Sequence, residues 1–273
     1  MSTKRDSRPS SESPLKRLSR VLTGSARVQL RLTRHNIEDF RPLFGMPLVA
    51  LVALAILVHS GRADLAPRGL VAASLMTIGQ MALFVASEIV FVERNGQTLE
   101  LVVASPASYL AVLSARVVVL AMLGVLGFVE SWLIARYAFR LELTVYHPLL
   151  LLSTLLASSL AAAGTAVLTA ALFSLGKQVR TFQNAINGPL YLLGGVLVPT
   201  TFLPVWLQPS SKLVFFYWSA KLLRACFVPE PPEGAARALL AVLALGVFTW
   251  LVGGVVLRRM LDHLRRDGTL GLT

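Results

Sequence analysis

The sequence predicts an all-α integral membrane protein with six transmembrane helices, an N-terminal amphipathic interfacial helix and outer re-entrant helices between spans five and six. The chain is 55% hydrophobic and only 15% charged, whereas a water-soluble domain normally carries about 25% charged residues. Its apolar residues fall into six stretches, each near the length of about 20 residues that crosses a bilayer. Lys and Arg concentrate in the tails and in alternate loops, as in multi-pass membrane proteins.

Four regions follow one another along the chain. Residues 1–14 are rich in Ser, Pro, Lys and Arg and are predicted to form a disordered cytoplasmic tail. Residues 15–41 are predicted to form the interfacial helix, and residues 42–258 the six-helix transmembrane domain. Residues 259–273 are predicted to form a cytoplasmic C-terminal tail.

The interfacial helix is predicted from two stripes at helical spacing. An apolar row that includes Leu18, Val21 and Val28 lies beside a basic row. Arginines on lipid phosphates and apolar side chains among acyl chains are typical of a helix in the membrane interface. A solvated basic helix is the alternative. The basic row consists of Arg17, Arg20, Arg27, Arg31 and Arg34.

The six apolar stretches are predicted to cross the membrane with both termini in the cytoplasm. This orientation places 18 Lys and Arg residues inside and 8 outside, in agreement with the positive-inside rule. The first forty residues lack the apolar stretch of a cleaved signal peptide, so we expect the first span to act as an uncleaved insertion signal. The predicted spans are 43–59, 68–92, 107–137, 148–175, 181–198 and 238–257.

Residues 208–228 compete as a seventh span. Lys212, Lys221 and Arg224 would each be costly in a lipid-exposed helix. We therefore expect an amphipathic helix that enters the outer leaflet, with aromatic side chains at headgroup depth. The predicted outer re-entrant segment includes Pro199, Pro204, Trp206, Tyr217 and Trp218.

The residue types exclude most catalytic chemistry. Cys226 is the only cysteine, the four histidines are scattered singly, and no HExxH, CxxC or GxSxG motif occurs. The sequence Gly176-Lys177-Gln178 lacks the upstream glycine and the Ser or Thr of a phosphate-binding loop. The net charge of +12 lies in tails and loops rather than in a nucleic-acid-binding domain. We expect no enzyme activity, metal or cofactor in this chain; if the protein uses ATP, we expect ATP and Mg to bind another chain.

The loop between spans two and three is the most informative polar segment. Asn95 can cap a short helix whose residues Leu99, Val102 and Val103 share one face. Ser105-Pro106 would end this helix and begin the third span. The pattern favours a rigid cytoplasmic element that binds a partner, and an ordinary polar connector is the alternative.

Two segments resemble a known family, the ABC-2-type transporter permeases. The first comprises Glu93-Arg94, Gly96, Thr98-Leu99-Glu100 and Ser105-Pro106, and the second Gly194-Gly195, Pro199, Leu203-Pro204 and Trp206-Leu207-Gln208. The resemblance implies the membrane subunit of an ABC exporter in a bacterial cytoplasmic membrane, forming a homodimer with two copies of a separate ATPase. It also implies that the first segment is the ATPase-coupling loop and that the interfacial helix contacts the ATPase. The implied coupling residues are Glu93, Arg94, Gly96, Thr98, Leu99, Glu100, Ser105 and Pro106.

Polar residues within the spans are candidates for a substrate path. Glu130 lies inside the third span, and Gln183, Asn184 and Asn187 lie early in the fifth; contacts between helices explain them as well. We expect a small amphipathic or lipid-like cargo, such as a drug or antibiotic. The alternatives are a polysaccharide or glycolipid exporter, heme or ion export, a secondary transporter or channel that does not use ATP, and a scaffold that does not transport.

Overall fold

The computed structural model describes residues 14–35, 41–84, 88–89, 93, 108–173, 179–230 and 232–267. All regular secondary structure in these ranges is helical. The predicted disordered tail lies outside the described residues except for Pro14, and so do residues 94–107 of the predicted coupling loop. The helices are α1 (Pro14–His35), α2 (Arg41–His59), α3 (Ala66–Gly79), α4 (Tyr109–Leu123), α5 (Leu126–Leu133), α6 (Pro148–Phe173), α7 (Val179–Leu193), α8 (Gln208–Ser211), α9 (Phe215–Ala225) and α10 (Ala235–Asp267).

Four helical segments among the described residues are long and apolar enough to cross a membrane. They fall on the first, third, fourth and sixth predicted spans, which confirms an all-helical membrane protein. For the second span, α3 continues as a π-helical turn, Gln80–Phe84. The second and fifth spans stay predictions. The four segments are Pro42–His59, Tyr109–Ala138, Pro148–Leu172 and Ala235–Asp262.

Two helix ends differ from the sequence prediction. Helix α7 ends at Leu193 rather than near residue 198, because Gly194 and Gly195 form a turn in which Gly195 has a φ of 63°. Glycine adopts this left-handed conformation without a steric penalty. Helix α10 continues through the predicted start of the C-terminal tail to Asp267. No Gly or Pro interrupts that stretch, and Arg258 and Asp262 have the i, i+4 spacing of a favourable helical pair.

The third predicted span is not one continuous α-helix. A turn at Gly124 and Val125 separates α4 from α5, which is followed by a π-helical turn, Ile134–Ala138. A Cβ atom at Gly124 would lie 2.8 Å from the Cα atom of Ile78. The glycine therefore allows α3 to cross closely at the point where the third span bends.

Helices α6 and α10 pack through small residues. A Cβ atom on Gly164 would lie 2.1 Å from the carbonyl oxygen of Gly246. A Cβ atom on Gly246 would lie 2.5 Å from the Cα atom of Ala161. Close backbone approach of this kind gives the van der Waals contact that holds helices together in lipid.

Helix α9 packs against the turn that ends α7. Near its start, Phe216 packs against Gly194, and near its end the Arg224 guanidinium donates hydrogen bonds to the Gly195 and Val196 carbonyls at 2.6 and 3.0 Å. Its 11 residues extend only about 16 Å, roughly half of the hydrocarbon thickness. This length is short of a membrane-crossing helix, and the entry of residues 208–228 into the outer leaflet stays a prediction.

Candidate functional site

An ion pair lies at the base of the predicted coupling loop. The Glu93 carboxylate pairs with the Arg116 guanidinium of α4, and their side chains are only 12% and 15% exposed. The Tyr109 hydroxyl, also from α4, donates a hydrogen bond to the other Glu93 carboxylate oxygen at 2.8 Å. Both carboxylate oxygens of Glu93 are thus bound within the chain.

The same arginine binds α1, the predicted interfacial helix. Arg116 Nε donates to Gln29 Oε1 at 2.7 Å, and Gln29 Nε2 donates to Thr33 Oγ1 at 2.9 Å. Gln29 and Thr33 are both buried. We call Gln29, Thr33, Glu93, Tyr109 and Arg116 the Glu93 network. It connects α1, the start of the loop and the third predicted span.

Helical spacing brings these side chains together. Tyr109 and Arg116 are seven residues apart on α4, which is close to two full turns, so they share one face. Gln29 and Thr33 are four residues apart on α1 and share a face for the same reason. The sequence therefore presents two donors from α4 to one carboxylate.

Burial makes this network energetically important. A buried ion pair contributes little beyond well-packed apolar residues, but removal of one partner leaves an uncompensated charge and costs about 3–5 kcal/mol. Charge-assisted hydrogen bonds from Tyr109 to Glu93 and from Arg116 to Gln29 also hold the paired side chains in one orientation. The network therefore fixes the position of Glu93 relative to α1 and α4.

Glu93 is the only one of the predicted coupling residues in the described part of the chain. The sequence predicted that its charge binds a partner, whereas its described contacts are with this chain's own Arg116 and Tyr109. The predicted coupling residues that lie outside the described residues are Arg94, Gly96, Thr98, Leu99, Glu100, Ser105 and Pro106.

The predicted interfacial helix is present as α1. Its apolar residues Val28 and Leu32 are 53% and 47% exposed. The face that packs on α4 is instead marked by Gln29 and Thr33. Of the predicted basic row, Arg20, Arg27, Arg31 and Arg34 are exposed, and the Arg17 side chain lies outside the described part.

The candidate path residues have no described contact with one another. One carboxylate oxygen of Glu130, on α5, is buried without a hydrogen-bond partner. Asn187, on α7, is buried. The side chains of Gln183 and Asn184 lie outside the described part. The geometry therefore leaves the substrate path a prediction.

The predicted outer segment follows α7. Pro199 and Pro204 flank a 3₁₀ turn, Thr200–Phe202, and Trp206 is exposed. Tyr217 and Trp218 are half-buried, and their rings meet edge to face at 5.1 Å between centroids. Their depth in a membrane stays a prediction.

Sequence reasoning missed four members of the Glu93 network: Gln29, Thr33, Tyr109 and Arg116. One signal was available, because Arg116 lies in an otherwise apolar stretch and a cation there requires a partner. The sequence alone does not identify that partner, because several glutamates are candidates.

The fold and this site define a multi-pass helical membrane protein with a buried polar connection beneath an interhelical loop. The model of the ABC-2 type transporter family matches residues 25–228, and the chain belongs to this family. The match includes every residue of the Glu93 network. No curated protein matches the chain. Membership makes this chain the membrane-embedded permease subunit of an ABC transporter.

Proposed function

We propose that this permease exports a small amphipathic or lipid-like substrate across the bacterial cytoplasmic membrane, driven by a separate ATPase. The observation that carries the proposal is the Glu93 network within a chain of the ABC-2 type transporter family. An ATP-driven permease needs a rigid connection between its ATPase-facing loop and its membrane helices. Glu93 provides one, because it binds α4 directly and is connected to α1 through Arg116.

In this proposal, ATP-driven closure of the ATPase moves the coupling loop. Glu93 transmits the displacement to Arg116 on α4, and Arg116 transmits it to Gln29 on α1. The third span and the interfacial helix then move together. Glu93, Arg116 and Gln29 are positioning residues that need no contact with the cargo.

The proposed topology has both termini in the cytoplasm. The distribution of Lys and Arg supports it, and so does the grouping of contacts at the two ends of the bundle. The backbone N–H of Tyr146 donates to the Cys226 carbonyl at 2.9 Å, so the loop before α6 and the end of α9 lie together. Both belong to the side that the topology places outside.

The proposed assembly is a homodimer with two ATPase copies. Two coupling loops related by a two-fold axis match the symmetry of an ATPase dimer. The homodimer and the coupling role of residues 93–106 rest on the family resemblance. The cargo class rests on the short loops and on the apolar surface of the chain.

Reconstitution tests the proposal. The chain is co-expressed with its ABC ATPase, purified, and placed in proteoliposomes, where ATP hydrolysis is measured with and without the permease. We expect a complex of two permeases and two ATPases by native mass spectrometry, and altered hydrolysis when Arg116→Gln replaces the native residue. Glu142→Gln is the matched control, because Glu142 forms an exposed ion pair with Arg136.

Two results would contradict this function. The first is a transport-competent chain that purifies without any ATPase, which would favour a secondary transporter or channel. The second is a complex in which hydrolysis is the same with Arg116→Gln, with Glu142→Gln and with the native chain.

A further inference from the structure

A groove with an apolar floor and a basic end lies between α2 and α3. It has a volume of ≈ 340 Å³, within the range of small-molecule sites of roughly 300–1,000 Å³. Val49, Ile56, Ala72 and Met76 line its length, and Leu197 and Pro199 close one side. We call it the α2–α3 groove.

Arg68 is the charged residue in the lining of this groove. It stands in the first turn of α3 and is exposed, and no carboxylate among the described residues forms an ion pair with it. From Arg68 to Met76 the groove follows α3 for about 12 Å, at 1.5 Å per residue. A cation therefore stands at one end of an apolar channel long enough for part of an acyl chain.

A second arginine, Arg224, lies near Arg68 but does not line the groove. Arg224 of α9 binds the Gly195 and Val196 carbonyls, yet its Nε is buried with no hydrogen-bond partner. Burial lowers the pKa of Arg224, and the nearby positive charge of Arg68 lowers it further. An anion bound at Arg68 would offset this repulsion.

We propose that the α2–α3 groove binds one acyl chain of an anionic lipid, with the lipid phosphate at Arg68. The apolar floor matches the acyl chain, and the Arg68 guanidinium matches the phosphate. Val49 and Ile56 are 37% and 63% exposed, so a lipid can enter from the side of the bundle. This inference goes beyond the proposed function, since lipid binding requires neither ATP nor an ATPase.

Native mass spectrometry of the full chain in detergent tests the proposal. Dioleoyl phosphatidylglycerol is titrated as the anionic lipid, dioleoyl phosphatidylcholine as its zwitterionic counterpart, and glycerol phosphate as the headgroup without chains. We expect phosphatidylglycerol to bind more tightly than phosphatidylcholine. Glycerol phosphate should bind weakly, because it cannot use the apolar floor.

Two variants and two matched controls locate the site. Arg68→Gln should weaken phosphatidylglycerol binding by roughly tenfold, a factor that equals about 1.4 kcal/mol, and should remove the preference over phosphatidylcholine. Arg62→Gln removes an exposed arginine close in sequence that does not line the groove, and binding should be unchanged. Ala72→Leu narrows the groove and should weaken both lipids, whereas Val255→Leu enlarges an exposed residue of α10 and should not.

The results that would overturn the proposal are distinct. If Arg68→Gln keeps the lipid preference, Arg68 does not bind the phosphate. If glycerol phosphate binds as tightly as phosphatidylglycerol, the site is an anion site without a chain-binding groove. If Ala72→Leu leaves lipid binding unchanged but converts a dimer to a monomer, the groove is an interface between two copies. None of these results bears on ATPase coupling, which is measured separately.

Discussion

Replacing Glu93 by Gln removes one charge from the Glu93 network and nearly preserves its shape. Arg116 then keeps its hydrogen bond to Gln29 but loses its counter-ion, although its side chain is only 15% exposed. Removing one partner of a buried ion pair costs about 3–5 kcal/mol. Because Arg116 keeps its hydrogen bond to Gln29 and is partly exposed, we expect the loss in free energy of unfolding to lie at the lower end of this range, about 3 kcal/mol.

This loss corresponds to a measurable change in thermal stability. For a chain of this size each kcal/mol shifts Tm by about 2–4 °C. Glu93→Gln should therefore lower the Tm of the purified chain by about 6–12 °C. It should also speed tryptic cleavage after Arg27 and Arg31, because Arg116 without its counter-ion holds Gln29 of α1 less firmly.

A double-mutant cycle with Arg116→Gln isolates the interaction. The double variant should be more stable than the sum of the two single losses predicts, since it leaves no unpaired charge. The exposed pair Arg136 and Glu142 is the control, and Glu142→Gln should cost no more than about 1 kcal/mol. Additive losses at Glu93 and Arg116, or a Glu93→Gln effect no larger than the control, would refute the inferred network.

Three further predictions follow from other parts of the structure. Gly246→Leu should lower Tm by a few degrees or more, because its Cβ would lie 2.5 Å from the Cα of Ala161 and overpacking costs about 1–3 kcal/mol. Gly188→Ala is the control and should not lower Tm, because nothing lies within 4 Å of the added Cβ. Equal effects of the two substitutions would contradict the α6–α10 packing. Cys226 should resist a maleimide between pH 7 and pH 9, because its thiol is buried and burial raises its pKa to about 11, so little reactive thiolate forms; rapid labelling of the folded native chain would show that the site is open. In that native background, an impermeant maleimide should label Glu142→Cys but not Ser2→Cys in intact cells, and the reverse pattern would invert the proposed topology.

The sequence was sufficient for the class and for the features that depend on local pattern. Apolar stretches of spanning length are a direct consequence of the bilayer thickness, and four of them are confirmed as helices. Small residues in apolar helices favour close packing, and Gly164 and Gly246 allow it between α6 and α10. Helix ends were less predictable, because the turn at Gly194 and Gly195 depends on the packing of α9 as well as on glycine itself.

The Glu93 network could not be predicted because its members are distant in sequence. Gln29 and Arg116 are separated by 87 positions, and Glu93 and Arg116 by 23. An arginine in an apolar stretch indicates a buried pair, but Glu88, Glu93, Glu100 and Glu130 all lie near enough along the chain to be its partner. The folded structure places Glu93 against Arg116, and the packing of α1 against α4 places Gln29 beside the same arginine.

The buried position of Glu93 changes the role that we expect for this residue in the predicted coupling loop. A loop that moves membrane helices needs one part that binds the ATPase and another part that is fixed to the helices. Two carboxylates of this loop were predicted to serve the first purpose, yet Glu93 binds Arg116 and Tyr109 within the chain. Its substitution should therefore act through the permease's own stability, which binding of an ATPase would not restore in full. Glu100 is then the carboxylate that we expect to contact the ATPase. Substitution of Glu93 should lower the stability of the permease, whereas substitution of Glu100 should weaken its contact with the ATPase.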